Sequence, residues 1–216
     1  MVNSKTKNDI SLVKEMMEKS SKFSSLSGLS IIYTGILALI GGVIIYFDLS
    51  FSLSEKEISY SQLINRNGNP DDLYTKVKLL VYIASVILIL SLLLLYVSAK
   101  SKAKKENIDL LTPTFGRTLK SLFIPLFVGG IFSLFLIHHG LYGLVAPATL
   151  IFYGLGLINA SKHSYDELEK LGYLELLLGI TASYFMGTGL IFWMIGFGLG
   201  HIFFGLYLYF KYDIVK

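Results

Sequence analysis

Within residues 172–179, GYLELLLG, one glutamate interrupts a run of apolar residues and glycines. Charge buried in such surroundings costs several kcal/mol unless it is neutralised or paired, so Glu175 is a candidate proton-binding or ligand-binding group. A partner of the right chemistry is His201, in GLGHIFFG. A bend at Met186-Gly187-Thr188-Gly189 would return the His201 segment antiparallel to the Glu175 segment, and counting back from it puts the two residues within about one helical turn of the same level. A carboxyl beside an imidazole can share one proton with it and respond to pH. Gly172, Gly179, Ala182 and Ser183 lie at helical spacing from Glu175, whereas Leu174, Leu177, Leu178 and Ile180 take other directions. The glutamate is therefore expected to face protein. A helix starting near Leu171 would place it one turn in, about 6 Å from the end, where snorkelling to the interface is the competing outcome. Asn159 is the third polar candidate inside an apolar stretch.

Other chemistries lack their residues. There is no HExxH pair, no serine nucleophile in a glycine-rich setting and no paired aspartate within the apolar blocks. Absence of cysteine removes disulfides, thiolate metal sites and cysteine nucleophiles. His138-His139 would point about 100° apart on a helix and chelate poorly, so the pair reads as a polar turn. Gly196-Phe197-Gly198-Leu199-Gly200 has no preceding strand and no following Lys-Ser/Thr, so it is not a phosphate loop. The expectation is a non-enzymatic protein with no catalytic residue, no metal site and no cofactor.

The elements that must hold Glu175 and His201 follow from hydropathy. The 216 residues are 53% hydrophobic and 16% charged, with a mean hydropathy of +0.62, whereas soluble domains carry about 25% charged residues. The apolar residues form long blocks, and a hydrocarbon core about 30 Å thick needs about 20 of them per helix. Residues 23–47 and 79–99 each supply one span, the latter preceded by the helix-start signal Asn69-Pro70-Asp71-Asp72. Residues 121–161 lack any charge and must fold back, with His138-His139-Gly140 as the turn. Residues 171–210 fold back at Met186-Gly187. These blocks predict an all-α membrane protein, a bundle of six transmembrane helices at about 23–47, 77–99, 121–137, 141–161, 171–186 and 189–210.

With six spans, fifteen of the nineteen Lys and Arg residues fall on the side of the termini, leaving Lys56, Arg66, Lys76 and Lys78 on the other. The positive-inside rule then puts both termini in the cytoplasm. The net charge of +4 reads as this topology signal and as attraction to anionic membrane lipids, with no basic-aromatic pattern for nucleic acid. Residues 1–22 form a polar N-terminal segment ahead of the 23–212 membrane domain. Within NDISLVKEMMEKSSKF, Ile10, Val13, Met16 or Met17 and Phe23 recur at helical spacing. That predicts a short amphipathic helix, lying on the membrane surface or docking a cytoplasmic protein partner. Residues 48–75 form the one long external segment. Gly196 and Gly200 predict close helix packing, and Pro125 and Pro147 predict kinks.

MMEKSSKFSSLSGLS and LINASKHSYDELEKLGYLELLLG resemble stretches of an uncharacterised family of small multi-span bacterial integral membrane proteins. The resemblance implies a bacterial inner (plasma) membrane and brings no activity, cofactor or residue role. Two readings of function follow from the residues. One is a membrane scaffold or sensor subunit; the other is a small transporter or channel with Glu175, His201 and Asn159 along its path.

Overall fold

The computed structural model describes residues 26–51, 69–105, 107 and 109–214, and among these the chain is helical with no strand. Helix α1 is Gly28–Phe51, α2 is Pro70–Lys105 and α3 is Pro113–His138. A 3-10 turn, Tyr142–Leu144, leads into α4, Val145–Ser161, and α5 is Leu168–Tyr184. The last helix, α6, is the run Gly189–Asp213. It is α-helical at Gly189–Trp193 and His201–Leu208, and π-helical at Met194–Gly200 and Tyr209–Asp213. All but α5 are long and apolar enough to cross a membrane. The amphipathic helix expected near residues 8–23 lies outside the described residues, as does the middle of the external segment.

Local chemistry explains most boundaries. The Asn69 side chain accepts from the Asp71 backbone N–H at 3.2 Å and Pro70 occupies the first helical position, so α2 starts where the capping signal put it. Thr112 caps α3 by accepting from the Phe115 N–H at 3.2 Å, again with a proline following, which starts the helix well before Ser121. Gly140 at φ 71° and Gly187 at φ 101° supply the left-handed backbone that both expected turns require. Pro147 sits in the first turn of α4, where the backbone N–H groups have no intrahelical acceptor, so its expected kink has no hydrogen bond to break. Helix α1 begins at Gly28 rather than Phe23, because Asp213 accepts from the Gly28 N–H at 2.8 Å and from the Ser27 hydroxyl at 3.1 Å.

Two close helix pairs form the centre. Helices α4 and α5 meet at Gly154 and Gly172, where a Cβ on either would lie 2.7 or 2.8 Å from the carbonyl oxygen of the other. Helices α1 and α6 meet at Gly28 and Gly205 in the same way, the Gly28 oxygen standing 2.8 Å from a Cβ on Gly205. Backbones approach this closely only where side chains are absent. Helix α2 packs through Leu73 and Val77 against Ile45, through Ile87 close against Gly41 of α1, and through Ala99 and Ala103 against Leu110. Its outer face, including Tyr82, Ile89 and Val97, is exposed, which in a bilayer places that face against lipid.

Candidate functional site

Helix α5 begins at Leu168, one turn earlier than expected, so Glu175 lies about 10 Å along the helix rather than about 6 Å. The residue is 0% exposed. Gly172, Gly179 and Ala182 share its buried face, while Leu174, Leu177 and Ile180 are exposed. Leu178 departs from the expected pattern, being buried on the protein side because it lies three residues, nearly one turn, from Glu175. Snorkelling does not occur: the side chain points across the bundle toward α6.

The structure brings Glu175 and His201 together, with Nδ1 of the imidazole 3.5 Å from Oε1 of the carboxyl. That separation allows charge pairing but exceeds hydrogen-bond range, and among the described residues neither Glu175 oxygen makes a hydrogen bond. His201 is fully engaged. Its Nδ1 is 3.1 Å from the Gly196 carbonyl oxygen and its Nε2 is 2.7 Å from the Tyr153 hydroxyl. A carbonyl only accepts, so Nδ1 carries the hydrogen; in the neutral ring Nε2 then accepts from the Tyr153 O–H. Tyr153 on α4, His201 on α6 and Glu175 on α5 thus form a phenol, imidazole and carboxyl series across three helices.

The π-helical stretch Met194–Gly200 is what makes room for this series. Its widened hydrogen-bonding pattern leaves the Gly196 carbonyl facing the ring of His201, five residues on. Gly196 itself lies against Glu175 and Leu150, and a Cβ there would collide with Oε2 of the carboxyl. The close packing expected of this helix is made at Gly205 against α1, while Gly196 accommodates the carboxyl and the nearest neighbours of Gly200 are its own helix and leucine side chains of α5 at 3.5 Å or more. Aromatic rings complete the wall, with Phe197 4.9 Å from Tyr153 and 5.8 Å from His201 between centroids.

The third sequence candidate lies elsewhere. Asn159 is half-buried on α4, six residues or about 9 Å along the helix from Tyr153. Among the described residues no group of three or more His, Asp or Glu side chains is placed to hold a metal ion, and His138 and His139 stack edge to face at the exposed turn. Tyr153 is the member that sequence reasoning missed. It carries no charge, and tyrosine in an apolar helix reads as an interface anchor; only the packing of α4 against α5 aims it at the centre.

Chemically the site holds one proton in either of two neutral forms, a carboxylic acid beside a neutral imidazole or a carboxylate beside an imidazolium. Loss of that proton leaves a net negative charge among apolar walls. No protein-family model, curated protein or solved structure matches the chain.

Proposed function

We propose that the protein is a proton-responsive sensor subunit of a bacterial inner membrane, a six-span bundle with both termini cytoplasmic and no catalytic activity of its own. The observation that carries this reading is Glu175, 0% exposed, without a hydrogen bond on either oxygen among the described residues, and 3.5 Å from His201. Burying an ionisable pair within spans is costly and is retained where charge state does something. Changing the proton count changes the net charge where α4, α5 and α6 meet, which biases how the three helices pack. The cytoplasmic face, with its basic loop and N-terminal segment, is where a partner would receive the signal.

A second reading is a small proton-linked transporter. It is favoured by the π-helical segment of α6 opposite the carboxyl, since irregular backbone in membranes occurs where it is buried in protein or lines a path. One experiment addresses both. Thermal stability of Glu175→Gln, His201→Ala and the double variant is measured in detergent across pH. Coupling is expected, with the double variant losing less than the sum of the singles by about 0.5–3 kcal/mol and with the pH dependence of the wild type abolished. Fully additive losses with the wild-type pH dependence intact would remove the pair from any switch. Acidification of proteoliposomes driven by a substrate gradient would favour the transporter.

A further inference from the structure

A second feature of the bundle is a cavity of about 150 Å³ lined by every helix except α5. Its walls include Ile45 of α1, Ile137 of α3, Ala146 and Thr149 of α4, and Trp193 of α6. Helix α2 contributes Val77, Leu80, Val81 and Ala84, spaced three, four and seven residues along, so one continuous face of the helix closes the cavity. Val77 is buried and Val81 is exposed, which leaves the cavity open beside α2. Tyr142, in the turn at the start of α4, is the lining residue nearest the end of a span.

The geometry points to this cavity as a binding site for one acyl chain of a membrane lipid, entering beside α2 with its ester end toward Tyr142. An apolar cavity of about 150 Å³ stays dry and takes a benzene-sized body, so it fits a short stretch of hydrocarbon chain. What lies outside is hydrocarbon, because all five contributing helices are long and apolar enough to cross a membrane. Packing drives entry: the lining side chains lack contacts on the side that faces the opening, and a chain end supplies them without bringing a polar group into apolar surroundings. The way in lies on the outer side of α2, where Val81 and Ala84 of the lining are exposed. This inference does not depend on the proton-linked reading.

Trp193, the sole tryptophan of the chain, lines the cavity and serves as its reporter. The full chain is reconstituted in phosphatidylcholine vesicles containing a rising fraction of lipid brominated on the acyl carbons near the ester, and Trp193 fluorescence is recorded. A saturating quenching component at low brominated fraction is expected for the wild type. Ala84→Phe and Ala146→Phe fill the cavity from opposite walls and should each cut that component about twofold or more. Ala84→Leu and Ala146→Leu supply smaller fillers where a phenylalanine variant fails to fold. Glu175→Gln should leave the component intact, which separates this result from the fate of the switch. Quenching that rises only in proportion to bulk lipid, or that all four fillers leave unchanged, overturns the site. Loss of quenching on raising protein density would place a second copy of the chain there and overturns it equally.

Discussion

Gly196 shows how much one missing methyl group decides. The position lies between the Glu175 carboxyl and Leu150, a fully buried residue whose Cδ2 would stand 2.7 Å from an added Cβ. In most transmembrane helices alanine is as acceptable as glycine and gains helix propensity. Here the added carbon must displace two buried side-chain ends, the Glu175 carboxyl and Leu150 Cδ2, so Gly196→Ala is expected to destabilise the protein by about 1–3 kcal/mol. The control is internal. In a Glu175→Ala background the collision with Oε2 disappears, and the cost of Gly196→Ala should shrink; thermal melts of the four proteins in detergent measure this. An equal cost in both backgrounds would mean that the carboxyl does not occupy the space the glycine leaves. The same arrangement explains why His201 is held so closely, since its two ring nitrogens are oriented by a backbone carbonyl on one side and a phenol on the other.

At the level of elements, α6 ties the bundle together through both of its π-helical stretches. The first faces Glu175; the second, Tyr209–Asp213, ends in a polar cluster. Lys211 and Tyr212 both donate to Oε1 of Glu167, which precedes α5, the Tyr212 bond being 2.9 Å. Lys102 of α2 donates to Asp213 and to the Leu26 carbonyl, each at 2.9 Å, so the ends of α1, α2 and α6 share one set of bonds. Burial alone would raise the Glu167 carboxyl, but the bonds from Lys211, its own backbone and Tyr212 outweigh it and hold the group below its ordinary value of 4.5. A depressed folded-state value means that this group's contribution to stability is fully present above the ordinary carboxylate range and is lost as pH falls through the folded-state value. Lys211 is half exposed at 44%, so the contribution is screened and amounts to about 1 kcal/mol. Glu167→Gln should therefore lower stability by about that amount at neutral pH and by much less in acid, read from thermal melts at both. A difference that persists unchanged in acid would show that the carboxylate charge is not what joins α6 to α5.

For the whole molecule, the six-span topology proposed above is one that a fusion can read. The even number of spans proposed above would put both ends of the chain on one side, and the distribution of basic residues predicts that this side is the cytoplasm. A reporter that is active only in the periplasm, fused after Lys216, should be silent, and a cytoplasmic reporter at the same place should be active. The opposite pattern would mean that one helix does not cross. The helix most exposed to that outcome is α5, the one not among the five long and apolar enough to cross, whose 17 residues are about the minimum that spans a hydrocarbon core. Its length suits its position, because it is buried on one face against α4 and α6 and carries the glutamate inward on that face.

Sequence alone located the six helices among the described residues, five of them long and apolar enough to cross a membrane, and the two tight turns. Hydrocarbon demands long uncharged runs and satisfied backbone, so composition translates directly into helices, and only glycine takes the left-handed backbone at residues 140 and 187 without strain. It also pointed to Glu175 and His201, because ionisable groups are conspicuous among apolar ones. What tertiary structure decided is how those two groups are surrounded. Tyr153 enters the series only through the glycine-to-glycine approach of α4 and α5, and the π-helical turn of α6 meets a carboxyl that arrives from another helix. The cavity at Trp193 likewise draws its walls from five helices. Periodicity reports which face of one helix is buried; it carries no information on which residue of another helix lies opposite, because that depends on the depth and rotation at which the backbones meet.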